Sequence, residues 1–241
     1  MDERARIQLM SLDIQSLKKQ FGKNLILNEN LSKYSWFNLG GPAEYFFKPE
    51  NKNQLIEFLK ESKKQNLKIT ILGAGSNTLI RDSGIKGAVI KLGPSFSKIN
   101  LISKDIIEVG AGILDRKISN FAKENSIGNL EFLSCIPGTI GGAVIMNSGC
   151  YGNDISKVLV SINAVDINEL VEKEIKSDEM KFFYRGTNLS DQLIITSVKL
   201  KGVIKSKEMI ELKQKQFIEK KKVVPTKSDQ NLWKHFQKSQ K

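Results

Sequence analysis

The sequence is poor in the residues that build metal sites. Its 241 residues include two cysteines, Cys135 and Cys150, and a single histidine, His235. The cysteines do not have CxxC spacing and neither has a neighbouring histidine, so no zinc site is expected. Without a histidine base, neither thiol has the partner that activates a nucleophilic cysteine. We therefore predict no metal, and we expect both cysteines to be small packing residues.

Long uninterrupted apolar runs are also absent. No stretch approaches the roughly 20 apolar residues of a membrane-spanning helix, and residues 1–15 carry charges where a signal peptide has its apolar stretch. The sequence thus predicts a globular, cytoplasmic protein with no membrane partner. The chain is long enough for one large or two small domains with an apolar core.

The positive charge is concentrated towards one end of the chain. The net charge is +12, and residues 201–241 contain 12 Lys against 4 acidic residues, which places +8 of that charge in this segment. Aromatic residues do not alternate with these lysines, as they do in proteins that bind single-stranded nucleic acid. A solvated lysine-rich face is the simpler interpretation, and no nucleic-acid partner is predicted. A non-enzymatic basic binding protein is kept as an alternative.

Apolar periodicity predicts an α+β fold in which strand and helix signals alternate. The first helix should bury one apolar face and begin at Asn51 or Asn53, either of which could cap it. The strand at 68–72 is expected to be buried. Helices are predicted at 51–65, 114–125 and 208–222, and strands at 68–72, 87–92, 106–109, 158–166, 170–175 and 193–200.

The last predicted helix opens a unit that the chain has too few residues to complete. Its apolar positions would then lack packing partners and lie exposed. These positions are Met209, Ile210, Leu212 and Phe217.

A glycine-rich turn follows an apolar strand in the segment ILGAGSNTLIRD, residues 71–82. It is not a dinucleotide-binding fingerprint, because Thr78 stands where a third glycine is needed, and it has no P-loop lysine. Two glycines allow positive φ, so consecutive N–H groups could converge on an anion, although an ordinary strand-to-loop turn explains the segment about equally well. The candidate phosphate-binding residues are Gly73, Ala74, Gly75, Ser76, Asn77 and Thr78.

A second glycine-rich segment, IPGTIGGAVIMNSGCYGN, spans residues 136–153. Each glycine in a helix-like run costs about 0.5–1 kcal/mol relative to alanine, and close approach to a flat ligand would explain that cost. The amides of Gly138 and Thr139, where its helix begins, could face a phosphate or an electron-rich ring. A tightly packed helix pair is the structural alternative. The candidate cofactor-binding residues here are Pro137, Gly138, Thr139, Gly141, Gly142, Asn147 and Gly149.

Four motifs in this order and spacing resemble the UDP-N-acetylenolpyruvylglucosamine reductase (MurB) family. They are FNLGGPA (37–43), GAGSN (73–77), IPGTIGGAVIMNSGCYG (136–152) and YRGTNL (184–189), and the likeness covers roughly residues 31–200. The resemblance implies a two-lobed FAD-binding module of the vanillyl-alcohol-oxidase (PCMH) type with an incomplete C-terminal substrate-binding domain. The implied divisions are an extension at 1–22, FAD-binding subdomains at 23–92 and 93–202, and the truncated domain at 203–241.

The resemblance also implies a reaction of peptidoglycan precursor synthesis. NADPH would reduce FAD, and the flavin would pass a hydride to the enolpyruvyl group of UDP-N-acetylglucosamine enolpyruvate, giving UDP-N-acetylmuramate. The GAGSN turn would hold the FAD diphosphate, and residues 137–147 would run along the cofactor. The sequence leaves the oligomeric state open, and another FAD-dependent oxidoreductase of the same superfamily is the second alternative.

Two residues of the YRGTNL motif are the catalytic candidates. By the resemblance, Arg185 would stabilise negative charge that develops towards the substrate carboxylate, a task suited to a planar, permanently charged guanidinium. Tyr184 would supply a hydroxyl at the substrate edge. Gly186 and Thr187 follow the arginine where family members more often have serine or a similar residue, so this edge of the pocket departs from the pattern.

The family pattern also requires a proton-donating serine in a Gly-Ser-Thr-Phe-Lys-Asn-Pro segment and a glutamate in the last domain, and neither is present. A nucleotide sequence that encodes residues 233–240 can also encode Gly-Ser-Thr-Phe-Lys-Asn-Pro when it is read one nucleotide later. We therefore hypothesise a frameshift near Ser228 or Asp229, with residues 229–241 out of frame; an ordinary divergent terminus is the alternative. The chain as written is then expected to be impaired or inactive.

Overall fold

The computed structural model describes residues 15–223, and the side chains only as far as residue 221. The chain up to residue 14 and the segment of the frameshift hypothesis, 229–241, lie outside the described residues. Within the described part, no helix is both long and apolar enough to cross a membrane.

The first lobe is built on a four-stranded mixed sheet in the order β1-β2-β4-β3. β1 pairs antiparallel with β2, whereas β2, β4 and β3 run parallel to one another. Parallel strands need crossover connections, and α1 supplies the one from β2 to β3, which lie on either side of β4. The elements are β1 (Leu25–Asn30), β2 (Pro42–Phe47), α1 (Lys52–Lys64), β3 (Ile69–Ile71) and β4 (Ile85–Ile90).

Helix α1 confirms the prediction made from local sequence. The Asn51 side chain caps it by accepting a hydrogen bond from the Gln54 N–H, and Leu55, Phe58 and Leu59 are buried. The predicted burial of the following strand is wrong, because β3 is an edge strand and Ile71 is 41% exposed.

The second lobe is a five-stranded antiparallel sheet in the order β11-β10-β14-β6-β5. Two helices, α2 and α3, and three two-stranded ladders complete this lobe, with ladder pairs β7–β15, β8–β9 and β12–β13. The elements are β5 (Ile99–Leu101), β6 (Ile106–Gly110), α2 (Asp115–Glu124), β7 (Ile127–Gly128), α3 (Ile140–Ile145), β8 (Gly149–Cys150), β9 (Asn153–Asp154), β10 (Leu159–Asp166), β11 (Glu172–Lys176), β12 (Phe182–Phe183), β13 (Gly186–Thr187), β14 (Leu193–Lys201) and β15 (Val203–Ile204).

The two lobes share part of their apolar core. Phe47 and Phe58 stack at 3.9 Å in a cluster that also contains Val165 and Ile194 of the second lobe. The sheets thus pack against each other through α1 and the adjoining ends of β10 and β14. This contact fixes the relative position of the loops that extend from each sheet.

The last helix, α4 (Lys207–Val223), packs on the second lobe. The expectation that its four apolar positions lie exposed is wrong for two of them, since Ile210 and Phe217 are buried. Phe217 stacks on Tyr151 with a centroid distance of 5.3 Å. Met209 and Leu212 are exposed, as expected.

Candidate functional site

The GAGSN turn lies where three parallel strands end. The Leu72 N–H donates to the carbonyl of Ile90, and the Lys91 N–H donates to that of Phe47, both at 2.9 Å. The hydrogen-bond ladder therefore continues one residue beyond β3 and β4, and it brings together the loops that follow the three strands. Carboxyl ends of parallel strands are the usual place for a ligand in sheets of this kind.

The turn itself has a backbone that only glycine fits at its centre. Gly75 has φ +69°, and a Cβ there would lie 1.9 Å from the Tyr34 carbonyl oxygen. Among residues 15–223, no protein acceptor lies in hydrogen-bonding geometry with the backbone N–H groups of residues 74–77. The side chains of Ser76 and Asn77 also have no hydrogen-bond partner in that part of the chain. The turn thus presents a set of free donors.

The loop of the FNLGGPA motif supports this turn from one side. The Trp36 N–H donates to the Gly75 carbonyl at 3.1 Å. A Cβ at Gly41 would lie 1.9 Å from the Asp82 carbonyl oxygen, so the motif's glycine pair permits close backbone packing. Trp36 and Leu79, on either side of the turn, are 62% and 59% exposed. Such large exposed apolar side chains beside free donors are typical of a ligand-binding surface.

The second glycine-rich segment starts as a strand-like pairing rather than as a free helix terminus. Residues 138–141 run antiparallel to residues 111–115, and the N–H groups of Ile140 and Gly141 donate to carbonyls there at 3.0 Å. α3 has six residues, and the first two of its N–H groups are thereby occupied. The N–H groups of Gly138 and Thr139, for which the sequence predicts an anion or a ring as partner, donate to no acceptor among the described residues.

The two predicted loops meet in the structure. A Cβ at Gly73 would lie 2.7 Å from Oγ1 of Thr139, so the first loop passes directly over the second. Pro137 and Gly142 are exposed on this surface, while Thr139 is buried beneath it. The fold thus joins residues 73–78 and 137–142 into one continuous surface.

Asp115 lies directly behind this surface and was not identified from the sequence. Its side chain is fully buried, and neither carboxyl oxygen has a hydrogen-bond partner among the described residues. A Cβ at Gly138 would lie 3.0 Å from Oδ2 of Asp115. Burial raises the pKa of this carboxyl to about 8. In the sequence, an aspartate at the start of a helix reads as an ordinary N-terminal residue, so no local signal indicated its burial.

Arg185 and Tyr184 form the tip of the short hairpin β12–β13. Arg185 has φ +61°, in the left-handed region that non-glycine residues seldom adopt. Its guanidinium lies 5.3 Å from the Tyr184 ring centroid and forms no ion pair with any described carboxylate. Both side chains are exposed, with Tyr184 at 89%. Backbone strain that presents an unpaired cation is typical of a functional position.

The hairpin is tied to the second glycine-rich segment. Asn147 donates from Nδ2 to the Phe183 carbonyl and accepts at Oδ1 from the Ser156 N–H, at 3.4 and 3.1 Å. Gly149 occupies the tight β8–β9 hairpin, where a Cβ would lie 2.3 Å from the Asn153 carbonyl oxygen. For these two predicted cofactor residues, the structure thus shows contacts that shape the loop.

The cysteines have the packing role that the sequence predicted. Cys135 belongs to the core of the second lobe, and Cys150 packs against it. Burial and the neighbouring Cys135 raise the pKa of the Cys150 thiol to about 12, despite the opposing charges of Lys221 and Arg185. A thiolate is therefore scarce at neutral pH, and nucleophilic chemistry at this position is not supported.

Comparison with known proteins gives a family model and close relatives. Residues 43–172 match the model of the FAD binding domain. UDP-N-acetylenolpyruvoylglucosamine reductase of Pelagibacter ubique is 44% identical over 216 residues, which cover 89% of this chain and 71% of that protein. The enzyme of the same name from Rickettsia akari is 46% identical over 176 residues, 73% of this chain and 57% of that protein. The chain thus spans only part of these relatives.

Solved structures agree on the fold. UDP-N-acetylenolpyruvylglucosamine reductase (MurB) from Thermus caldophilus matches with a TM-score of 0.72 at 28% identity, over 83% of this chain and 70% of that one. p-Cresol methylhydroxylase matches with a TM-score of 0.58 at 16% identity, over 81% and 44% of the respective chains. The second likeness concerns the fold alone, and it confirms the predicted two-lobed α+β module.

Proposed function

Since the chain belongs to the UDP-N-acetylenolpyruvoylglucosamine reductase family and carries its FAD-binding domain, we propose that it acts with NADPH on UDP-N-acetylglucosamine enolpyruvate. The proposed product is UDP-N-acetylmuramate. One observation carries this proposal: the two glycine-rich loops contact each other, and the hairpin that presents the unpaired Arg185 is hydrogen-bonded to the second loop. The predicted divisions at 23–92 and 93–202 are part of the proposal, and each contains one of the two sheets.

The residues present fit a flavin dinucleotide. The free N–H groups of residues 74–77 suit the oxygens of a diphosphate, since converging backbone donors bind anions without a side chain. Gly73 allows the first loop to lie directly on Thr139, and Gly142 places no side chain on the exposed part of the joined surface. Bound FAD would supply the hydride chemistry that amino-acid side chains lack.

Arg185 would act on the substrate rather than on the cofactor. Its guanidinium has no carboxylate partner among the described residues, so it is available to a carboxylate of the substrate. A fixed cation there would stabilise the charge that develops on that group in the reaction. Tyr184, stacked beside the guanidinium, would place its hydroxyl at the same edge. Asn147 would hold this hairpin against the cofactor loop.

The first experiment separates cofactor binding from turnover. The purified chain should be yellow, with absorbance near 450 nm, and NADPH should bleach it under anaerobic conditions. The frameshift hypothesis predicts that steady turnover with the enolpyruvyl substrate is lower by about 10²–10⁴ than in a chain with the reading frame restored, because the out-of-frame segment would lack the proton-donating serine of the family pattern. Protein that is colourless after incubation with FAD and removal of the unbound flavin would refute the proposal.

The second experiment tests Arg185 in the frame-restored chain. Arg185→Met should lower kcat by about a hundredfold or more, by the loss of charge stabilisation, while the FAD spectrum is unchanged. Lys181→Met is the matched control, since Lys181 is an exposed cation at the base of the same hairpin whose side chain makes no hydrogen bond or ion pair in the described structure. Equal activity of the two variants would rule out the assigned role.

A further inference from the structure

Two lysines lie side by side at the carboxyl ends of the parallel strands. Lys48 follows β2 and Lys91 follows β4, and the two strands are in register as far as the pair Phe47 and Ile90. The hydrogen bond from the Lys91 N–H to the Phe47 carbonyl extends the pairing to this point. Because side chains alternate along strands, Lys48 and Lys91 project from the same face of the sheet.

The Lys91 ammonium is directed at the GAGSN turn. Its Nζ donates to the carbonyl of Gly73, the first residue of that turn. Lys48 Nζ donates to the Tyr34 hydroxyl at 3.2 Å and lies 4.9 Å from the Tyr34 ring centroid. The Tyr34 carbonyl in turn packs on Gly75. The two ammonium groups, the aromatic ring and the free N–H groups of the turn therefore form one cluster, which we name the lysine cluster after Lys48 and Lys91.

The positive charge of the lysine cluster is not balanced by the protein. In the described part of the chain, neither lysine forms an ion pair with a carboxylate. The nearest acidic group in the hydrogen-bond network is Glu29, which accepts from the Tyr34 hydroxyl at 2.9 Å and pairs with Lys33. Partial burial, and secondly the charge of Lys48, lower the pKa of Lys91. An anion bound between the two ammonium groups would oppose this lowering, because its negative charge favours the protonated form of each lysine.

We propose that Lys48 and Lys91 bind the diphosphate of the dinucleotide cofactor, together with the free N–H groups of residues 74–77. This inference rests on the proposed function, which supplies the cofactor. A diphosphate offers two negative charges and several acceptor oxygens, and it therefore matches two cations that flank a row of backbone donors. Lysine acts on phosphate as a compact point charge and needs no bidentate geometry.

Flavins with and without a diphosphate test the assignment in the full chain. FAD and riboflavin share the isoalloxazine ring, but riboflavin has no phosphate. Binding of each would be followed by quenching of flavin fluorescence in the unaltered protein, Lys91→Met and Lys48→Met. Lys86→Met is the matched control, because Lys86 is exposed at the opposite end of β4 and makes no ion pair in the described structure.

Loss of either ammonium should weaken FAD binding about ten- to a hundredfold and leave riboflavin binding within about twofold, the size expected for a charge-assisted hydrogen bond. Lys91→Arg keeps the charge and should retain most of the affinity. FAD affinities within twofold of the unaltered protein in both Met variants would overturn the assignment, and so would equal losses for FAD and riboflavin. If Lys91→Met does not fold, Lys48→Met decides alone. An unaltered protein that binds no FAD would instead refute the proposed function itself.

Discussion

The buried carboxyl of Asp115 makes a quantitative prediction about stability and pH. Its side chain is 0% exposed, its oxygens have no hydrogen-bond partner among residues 15–223, and burial raises its pKa from 3.8 to about 8. At pH values between these two pKa values, the Asp115 carboxyl keeps its proton in the folded protein and releases it in the unfolded chain. Stability from this group is therefore fully present below about pH 4 and is lost as the pH rises towards 8.

The magnitude follows from the same two values. Each pH unit within the interval removes about 1.4 kcal/mol of unfolding free energy. Asp115→Asn has nearly the same shape and does not titrate. Relative to the unaltered protein, its unfolding free energy should therefore rise by about 2.5 kcal/mol between pH 5 and pH 7.

Urea unfolding, followed by circular dichroism at pH 5, 6 and 7, measures this difference. Asp178→Asn is the matched control, because Asp178 is exposed and has no ion pair or hydrogen bond in the described structure, and its difference should not change with pH. A difference for Asp115→Asn that stays constant within about 0.5 kcal/mol across the range would contradict the argument. It would mean that the carboxyl is solvated or ionised in the folded protein.

Two further predictions concern packing. Gly75→Ala should lower the unfolding free energy by at least about 2 kcal/mol, because its Cβ would meet the Tyr34 carbonyl at 1.9 Å in a left-handed backbone. Gly142→Ala should keep the fold, since its Cβ would make an ordinary contact with Thr139 at 3.6 Å, but it should weaken FAD binding in titrations. Unchanged FAD affinity would remove Gly142 from the proposed surface. Phe217→Ala should lower the free energy of unfolding in urea by about 3–5 kcal/mol, because the ring is buried against Tyr151. Leu212→Ala, at a 59% exposed position, should change it by less than about 0.5 kcal/mol. Similar values for the two variants would show that α4 does not pack on the second lobe.

The strongest sequence predictions depended on residues close together in the chain. Helix α1 was correctly predicted because its cap joins Asn51 to Gln54 and its apolar face repeats every three or four residues. The strand at 158–166 was likewise recovered as β10. The exposure of β3 was not predicted, because an apolar triplet does not reveal whether its strand lies at the edge or the centre of a sheet.

By itself, the sequence determined the α+β class, three of the helices, six of the strands and the presence of two glycine-rich loops, since propensity, capping and periodicity act over a few residues; β1, β2 and β5 were not predicted. Only the tertiary structure decided that Gly73 lies over Thr139, that Lys48 and Lys91 are neighbours, and that Asp115 is buried without a partner. These relations arise from parallel strand register and from the docking of distant segments. The free energy of such contacts depends on partners far away in the chain, so no local pattern encodes them.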